Sequence, residues 1–321
     1  MKELLVNEIE GMKIGSTENT EAGTGCTVFL FGDEGAAVGM DVRGGGPASS
    51  EGELLKPLAS AEKIHAVMLA GGSSFGLAAA EGVKAYLEER GIGYDTGAAR
   101  IPLVCASNLY DLGIGRADIR PDAKMGYEAC AASGNYQDGC HGVGSGATIG
   151  KLYGLDRCMK SGVGSYAVQT GDLIVGAVVA VNGYGDVYDY QTGVRLAGLL
   201  SEDHQSLCST EDEILKHCDI PANKFTCNTT LGMIFTNAAF DKVKMSKIAG
   251  MAHDGFARSI RPVHTSADGD SIYAASLGTV KGDIDAVGTI AAMVTSEAIK
   301  KAVQKTKSGY GLLSMSDLNQ K

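Results

Sequence analysis

Short apolar runs alternate along this chain with longer segments of helical periodicity, and this alternation limits the folds that are available to it. The runs are typical of strands, but they do not follow the regular spacing of a parallel βαβ series. We therefore expect a layered α/β or α+β sandwich. No linker, repeat or low-complexity tract interrupts the 321 residues, which predicts a single domain, 1–321.

The same patterns predict the individual elements. Cys26–Gly32 and Ala36–Val42 flank Asp33-Glu34-Gly35, an arrangement typical of a β-hairpin. Further strands are expected at Ile64–Leu69, Ile101–Cys105, Asp172–Asn182, Val187–Tyr190 (returning after a Gly-Tyr-Gly turn), Thr229–Thr236 and Ile272–Leu277. Helices are expected at Phe75–Arg90, Asp122–Ala132, Asp241–Ile260 and Ile284–Lys305.

Glycine is about twice as frequent as in an average protein, with 45 of the 321 residues. The glycines have no three-residue period, which excludes collagen. They cluster instead at Gly44–Gly46, Gly71-Gly72 and Gly142–Gly146. Such clusters indicate places where the backbone turns tightly or comes close to a ligand.

Charge and hydropathy exclude several partners. The net charge is −10, from 28 basic and 38 acidic residues, and no basic cluster stands out, which argues against nucleic acid and anionic membranes. The N-terminus has no apolar core typical of a signal peptide, and the longest apolar run, Leu173–Val181, is too short to span a bilayer. The eight cysteines contain no CxxC pair, as expected of reduced thiols. We predict a cytoplasmic protein.

Ser201–Cys227 differs from its surroundings because it is polar, acidic and poor in glycine. Thr210 and Glu213 are spaced as a capping box for one short helix, so we interpret the segment as a surface excursion. Its zinc-type residues are His204, Cys208, His217, Cys218 and Cys227. Their spacings match none of the usual closed zinc sites, and we predict no metal.

Gly72–Gly76 fits the G-x-S-x-G pattern of a nucleophile elbow, with Ser74 as nucleophile, after an expected strand and at the start of an expected helix. Asp254 and His264 could complete a triad in the required order, and Gly44–Gly46 could form an oxyanion loop. A serine-capped helix start with glycines for close packing explains the same residues. The residues alone leave both interpretations open.

Asn228-Thr229-Thr230 lies where the polar excursion meets an expected buried strand. It is formally a glycosylation sequon, but without a secretory signal that interpretation fails. At such a junction a chain could cut itself: the Thr229 hydroxyl attacks the Asn228 carbonyl, and hydrolysis of the resulting ester frees Thr229. One residue then supplies a nucleophile and, as an α-amine with an ordinary pKa of about 7.7–8.0, a base. An ordinary strand start explains the tripeptide equally well.

Four blocks bear on this choice: Asp41–Ser50, Leu69–Gly76, Asn228–Gly232 and Ala252–His264. They resemble, in the same order, the hallmark blocks of DmpA-type peptidases, the L-aminopeptidase/D-esterase and β-peptidyl aminopeptidase group. The resemblance runs from about residue 8 to about residue 305. It implies an αββα sandwich, related in architecture but not in connectivity to N-terminal nucleophile hydrolases, that assembles as a homotetramer and needs no metal or other cofactor.

The resemblance also implies self-cleavage between Asn228 and Thr229, into residues 1–228 and 229–321. Thr229 would then be the catalytic nucleophile and, through its freed amine, the base. Asn182 resembles the family's oxyanion donor, and Tyr110 resembles a tyrosine that lines the site and contacts the reacting group.

Two positions depart from the aminopeptidase members of the family. Asp268 stands where they have a serine and, with Asp270, would orient the nucleophile; its carboxylate should keep the Thr229 amine protonated unless it is itself neutralised. Asn108 stands where they have a glutamate that meets a substrate's ammonium, and a neutral amide loses that contact. The hydrolase chemistry therefore transfers better than the aminopeptidase specificity.

The expected function is hydrolysis of small peptides or amides through an acyl-enzyme at Thr229. In this interpretation Ser73 and Ser74 form a wall and turn of the substrate site. Two alternatives remain: a serine hydrolase that uses Ser74, and a non-catalytic relative that kept the fold and binds a small molecule.

Overall fold

The computed structural model describes residues 1–216, residue 218 and residues 228–318. In this part of the chain the strands are β1 (Lys2–Leu4), β2 (Lys13–Asn19), β3 (Thr24–Leu30), β4 (Ala37–Val42), β5 (Ala48–Ser50), β6 (Ala66–Ala70), β7 (Tyr94–Asp95), β8 (Arg100–Ile101), β9 (Val104–Asn108), β10 (Thr148–Ile149), β11 (Met159–Lys160), β12 (Val163–Thr170), β13 (Leu173–Ala180), β14 (Asp186–Tyr188), β15 (Arg195–Ala197), β16 (Leu231–Ala238), β17 (Ile260–Arg261) and β18 (Ser271–Val280). The helices are α1 (Ala79–Glu88), α2 (Ala123–Ala131), α3 (Thr210–Lys216), α4 (Lys242–Ser259), α5 (Ile284–Gln304) and α6 (Met315–Leu318). Short 3₁₀ helices lie at Val6–Glu8, Gly52–Leu55, Ser73–Ala78 and Gly142–Gly144.

Two large sheets form the centre of the fold. Among the described residues, one has six strands in the order β1-β12-β13-β16-β18-β4, and the other has five in the order β2-β3-β6-β9-β5. Two neighbouring pairs are parallel, β16 with β18 and β6 with β9. Parallel strands need a crossover, which α4 provides for the first pair and α1 for the second.

Successive side chains of a strand point to opposite faces, and both faces of each large sheet carry buried apolar residues. Phe29 of β3 and Phe235 of β16 point into a core between the two sheets. Val28 packs on the other face against α1 and α2, and Ile234 packs against α4 and α5. The layers therefore run helix, sheet, sheet, helix, and the predicted αββα sandwich is confirmed.

The predicted hairpin between Cys26–Gly32 and Ala36–Val42 is wrong. β3 pairs with β2 and β6 in the five-stranded sheet, whereas β4 pairs with β18 in the six-stranded sheet. All seven residues of β3 are buried, so this strand requires neighbours on both sides and cover on both faces. The turn at Asp33-Glu34-Gly35 leads from one sheet to the other.

Other predicted elements exist with changed limits or partners. The segment expected as a helix from Phe75 begins as a 3₁₀ helix and becomes α1, and the strand expected at Ile101–Cys105 is split into β8 and β9 around Pro102, which has no N–H to donate. β14 pairs with β15 and β17 and does not return along β13. Aspartates cap α2, α4 and α5: the side chains of Asp122, Asp241 and Asp283 accept N–H groups of the first turns.

The predicted capping box of the polar excursion is also wrong. The Ser209 hydroxyl accepts the Asp212 N–H at 3.1 Å, which places the cap one residue earlier. Thr210 is buried, and its N–H and hydroxyl donate to the two carboxylate oxygens of Asp186 at 2.8 and 2.7 Å. A buried aspartate thus anchors α3, which local sequence spacing cannot reveal.

Candidate active site

Thr229 lies two residues before β16, which is an inner strand of the six-stranded sheet. Its N–H donates to the carbonyl oxygen of Asn182 at 2.9 Å, and the N–H of Thr230 donates to Oδ1 of Asp270 at 2.8 Å. Asn228, Thr229 and Thr230 are all buried, and none is more than 4% exposed. Thr229 is therefore held through main-chain groups in a place with little water.

The carbonyl oxygen of Asn228 accepts two hydrogen bonds. The N–H of Gly269 donates to it at 2.7 Å, and Oγ1 of Thr229 donates to it at 2.5 Å. Gly269 is needed here because a Cβ at this position would lie 2.6 Å from Oγ1 of Thr229. Donors on a carbonyl oxygen draw charge from the carbon and stabilise an oxyanion, so this peptide group is polarised for attack.

Asp268 is buried beside this peptide. Its Oδ2 accepts the N–H of Thr265 at 2.9 Å and the hydroxyl of the same residue at 2.5 Å, and its Oδ1 accepts the N–H of Tyr184 at 3.3 Å. Burial, and then the charge of Asp270, raise the pKa of Asp268 to about 6. Its carboxyl is thus directed at the surrounding loop in the uncleaved chain.

Asp270 is completely buried and uses both carboxylate oxygens. Besides the contact from Thr230 to Oδ1, Oδ2 accepts the main-chain N–H of His264 at 3.1 Å and lies 2.8 Å from Nδ1 of its ring. Three donors compensate for the burial of this charge.

The glycine run Gly44–Gly46 packs against the Asp268–Asp270 turn. The N–H of Gly46 donates to the carbonyl oxygen of Asp268 at 2.8 Å, and a Cβ on Gly44 would lie 2.3 Å from the nitrogen of Asp270. Only glycine allows this approach of two backbones. From the sequence we expect tight turns or a close ligand at the glycine clusters, whereas Gly44–Gly46 approaches another segment of the backbone.

Asn182 joins Thr229 to the loop after β9. Its Nδ2 donates to the carbonyl oxygen of Tyr110 at 3.0 Å, and its Oδ1 accepts the N–H of Thr148 at 3.0 Å and Nζ of Lys151 at 2.9 Å. Lys151 also donates to the main-chain oxygen of Asn182 at 3.2 Å, the same oxygen that accepts the Thr229 N–H. The structure therefore brings the predicted residues Asn182 and Tyr110 together with Thr229.

Asn108 is the last residue of β9, and Ser73 is the first residue of the 3₁₀ helix that follows β6. Nδ2 of Asn108 donates to the carbonyl oxygens of Gly71 at 3.0 Å and Ser73 at 2.9 Å, and so ties the end of β9 to the turn after β6. Its Oδ1 is buried without a hydrogen-bond partner in the described chain. The Asn108 amide thus donates both of its hydrogens to main-chain oxygens.

The residues of the alternative serine triad do not form one. Ser74 is exposed, and no described residue forms a hydrogen bond with its hydroxyl. Nδ1 of His264 contacts Asp270, and its Nε2 is buried without a partner in the described part of the chain. Asp254 lies on the exposed face of α4.

Of the zinc-type residues, His217 and Cys227 lie outside the described residues. Cys208 accepts a hydrogen bond from Nη2 of Arg157 at 3.8 Å, and Cys218 is exposed. Within the part of the chain that the structure describes, no three His, Cys, Asp or Glu side chains are grouped so that they could hold a metal ion. No helix there has the length and apolar character needed to cross a bilayer.

For three residues of the site, the sequence does not predict the contacts described above. Gly269 and Lys151 carry no local signal, since one acts through its N–H and the other is an isolated lysine after a glycine-rich loop. The sequence patterns indicate His264 only as a triad partner of Ser74, although it closes a block of the family resemblance.

Solved structures show the same fold. The L-aminopeptidase D-Ala-esterase/amidase from Ochrobactrum anthropi, described as a new variant among the Ntn hydrolase fold, matches with a TM-score of 0.70 at 15% identity, over 94% of this chain and 86% of that one. A β-aminopeptidase from Burkholderia sp. matches with a TM-score of 0.68 at 20% identity, over 98% and 92% of the two chains. At these identities the likeness concerns the fold alone.

Curated relatives are closer in sequence. A protein of Mycobacterium tuberculosis named an uncharacterized aminopeptidase is 37% identical over 86% of this chain and 82% of its own length. A 6-aminohexanoate-oligomer endohydrolase from Agromyces sp. is 31% identical over 94% and 86%. The model of peptidase family S58 matches residues 5–312. With this match, these relatives and the shared sandwich, the chain belongs to peptidase family S58, the DmpA family, and is a peptide-bond hydrolase.

Proposed function

We propose that this protein is a self-processing N-terminal-threonine hydrolase that cleaves small peptides or amides through an acyl-enzyme at Thr229. One observation carries the proposal: the Asn228 carbonyl oxygen accepts the Gly269 N–H, while Oγ1 of Thr229 lies 2.5 Å from the same oxygen. A hydroxyl held against a polarised carbonyl in a dry site is arranged for acyl transfer.

Self-processing would take two steps. Oγ1 of Thr229 attacks the carbonyl carbon of Asn228, the C–N bond breaks, and the hydroxyl proton passes to the Thr229 nitrogen, which leaves an ester and a free amine. Water then cleaves the ester, so that its oxygen stays on Asn228 as a carboxyl group and a proton returns to Oγ1. The products are residues 1–228 and residues 229–321.

In turnover the freed amine of Thr229 acts as the base for its own hydroxyl. The main-chain nitrogen of Thr229 already faces the carbonyl oxygen of Asn182, and Nζ of Lys151 lies 3.2 Å from that oxygen. A neighbouring cation disfavours protonation of an amine, so Lys151 would keep the base available near neutral pH. Asn182 and nearby main-chain N–H groups would donate to the oxyanion, an interaction of about 3–4 kcal/mol per donor.

The proposed substrate is a small peptide or amide without a requirement for a free amine. Asn108 offers no negative charge to an ammonium group, and both hydrogens of its Nδ2 are used by main-chain oxygens. One similar protein is named an uncharacterized aminopeptidase and another a 6-aminohexanoate-oligomer endohydrolase, and both names are compatible with hydrolysis of small peptides or amides. A cytoplasmic homotetramer belongs to the same proposal.

The intact mass of denatured, freshly purified protein tests self-processing. We expect a fragment that starts at Thr229 and contains 93 of the 321 residues, hence about 9.6 of the 33.1 kDa. Thr229→Ala should give only the full-length chain and no amide hydrolysis, and Thr229→Ser should restore processing, because serine keeps the hydroxyl.

Thr230→Ala is the matched control. Thr230 is an adjacent buried threonine whose Oγ1 has no hydrogen-bond partner among the described residues, so its removal should leave processing intact. Processing and turnover that persist in Thr229→Ala but disappear in Ser74→Ala would transfer the chemistry to Ser74. A wild-type chain that stays uncleaved and hydrolyses no amide or ester in a broad panel would favour the other alternative, a non-catalytic relative that binds a small molecule.

A further inference from the structure

His264 adopts a backbone conformation that ordinary residues avoid. Its φ is +57°, in the left-handed region, where residues with a Cβ are rare unless the surroundings require it. His264 follows β17 and precedes the Asp268–Asp270 turn. The conformation directs the main-chain N–H and the ring of one residue at the same acceptor, Oδ2 of Asp270, at 3.1 and 2.8 Å.

The ring is held in place from α4. The rings of His253 and His264 meet edge to face with centroids 4.7 Å apart, and the Phe256 ring stacks on His264 at 6.0 Å with an interplanar angle of 29°. His253 is itself fixed, because its Nε2 lies 3.1 Å from the carbonyl oxygen of Asp41 on β4. His264 therefore has little freedom to turn away from Asp270.

The other ring nitrogen has no polar role. Nε2 of His264 is buried without a hydrogen-bond partner in the described chain, so the ring makes its one polar contact through Nδ1. Because the partner is a carboxylate, which accepts only, the hydrogen lies on Nδ1. His264 thus supplies two of the three hydrogen bonds that hold the Asp270 carboxylate.

The third bond connects this pair to the nucleophile. Oδ1 of Asp270 accepts the N–H of Thr230, the residue that follows Thr229. Cleavage would remove the covalent restraint on the N-terminal side of Thr229. The main chain on its other side, and so the place of the Thr229 hydroxyl, would then depend on where Asp270 holds Thr230.

We propose that His264 is a positioning residue that acts through Asp270: by fixing the carboxylate with two N–H donors, it sets the place of Thr229 for self-processing and for turnover. The inference rests on the proposed function of Thr229. It assigns the histidine no contact with substrate and no proton transfer, and it predicts that an N–H donor at the position of Nδ1 is what matters.

The test compares two replacements whose side chains are isosteric with each other, His264→Asn and His264→Asp. Both residues tolerate a left-handed backbone, but only asparagine keeps a side-chain N–H for Asp270. His264→Gly removes the side chain and relieves the backbone. His204→Gly is its matched control, because His204 has a φ of +56° and lies in the polar excursion. Each variant is assayed for processing by intact mass, for kcat and KM on a small amide, and for unfolding temperature.

We expect His264→Asn to process and to turn over substrate within about threefold of the wild-type rates. His264→Asp and His264→Gly should be slower by about ten- to a hundredfold, because they lose a charge-assisted hydrogen bond to Asp270. The decrease should be in kcat and not in KM. Equal rates for the asparagine and aspartate variants at similar unfolding temperatures would overturn the inference, as would a glycine variant as fast as His204→Gly. If the glycine variant does not fold, the isosteric pair decides. A wild-type protein that neither processes nor hydrolyses an amide would instead overturn the proposed function, and this inference with it.

Discussion

At the scale of single residues, the site consists of buried polar groups whose charges are compensated by several short hydrogen bonds. Asp111 illustrates this on the side of the five-stranded sheet: its carboxylate accepts the Thr24 hydroxyl and the Gly72 N–H, both at 2.7 Å. Burial nevertheless raises its pKa to about 6, as it does for Asp268. Such groups make the free energy of unfolding depend on pH.

His253 gives the clearest prediction of this kind. Burial lowers the pKa of His253 from an ordinary 6.5 to about 4. Between these two pH values the histidine is protonated in the unfolded chain but neutral in the folded chain. Its contribution to stability is therefore lost as the pH falls from 6.5 towards 4, whereas buried carboxyls with raised pKa values act in the opposite direction. Between pH 7 and pH 5 the loss from His253 should be about 2 kcal/mol.

Urea unfolding of the uncleaved Thr229→Ala chain, with and without His253→Gln, measures this contribution. Glutamine keeps a donor for the Asp41 carbonyl oxygen but does not titrate, and the carboxyls are common to both proteins. The wild-type histidine should lose about 2 kcal/mol relative to glutamine on going from pH 7 to pH 5. If the free energy of unfolding changed equally with pH in both proteins, the pKa of His253 would not be lowered in the folded chain.

At the scale of elements, the polar excursion depends on a residue outside it. Asp186, buried at the start of β14, accepts the N–H groups of Leu199 and Thr210 as well as the Thr210 hydroxyl. Burial raises its pKa, and these hydrogen bonds oppose the shift. The contact holds the start of α3 against β14.

Asp186→Ala should therefore destabilise the uncleaved chain by about 3 kcal/mol or more, since two N–H groups lose their acceptor in a buried place. Asp203→Ala serves as the control. Asp203 is exposed in the same excursion and also accepts a main-chain N–H, that of Gln205, at 3.1 Å. Its replacement should lower the free energy of unfolding by about 0.5 kcal/mol or less. Equal losses for the two variants in urea unfolding would show that α3 is not anchored at Asp186.

At the scale of the whole molecule, the proposed cleavage site assigns the strands of the six-stranded sheet to two fragments that remain paired. Residues 229–321 contain β16 and β18, which pair with each other and lie between β13 and β4 of residues 1–228. The same C-terminal part provides α4 and α5, which cover this sheet. Both proposed fragments therefore contribute strands to one sheet and side chains to one core.

We accordingly expect the two fragments to remain associated after cleavage, because separation would break two strand pairings and expose the core between them. Gel filtration without denaturant should show the same apparent mass for processed protein and for the uncleaved Thr229→Ala variant, and urea should release the fragments. A fragment 229–321 that elutes alone in native buffer would contradict this expectation.

Much of the architecture was predictable from the sequence because it depends on local periodicity. The helical pattern of residues 284–305 and the buried strand that became β16 are examples: apolar spacing and an aspartate cap decide them within one segment. The family resemblance likewise led to Asn228-Thr229, Asn182 and Asp270, and the structure places these residues together.

What the sequence by itself determined is the layered sandwich, the existence of the four long helices and of eight strands, and the residue types of the candidate site. Only the tertiary structure decided which strands pair, so that β3 and β4 belong to different sheets, and which distant groups meet, so that Gly269 faces the Asn228 carbonyl and His264 holds Asp270. The physical reason is that pairing and hydrogen bonding between separated segments depend on what each buried face and each buried polar atom finds next to it. That information is not contained in the spacing of residues along one segment.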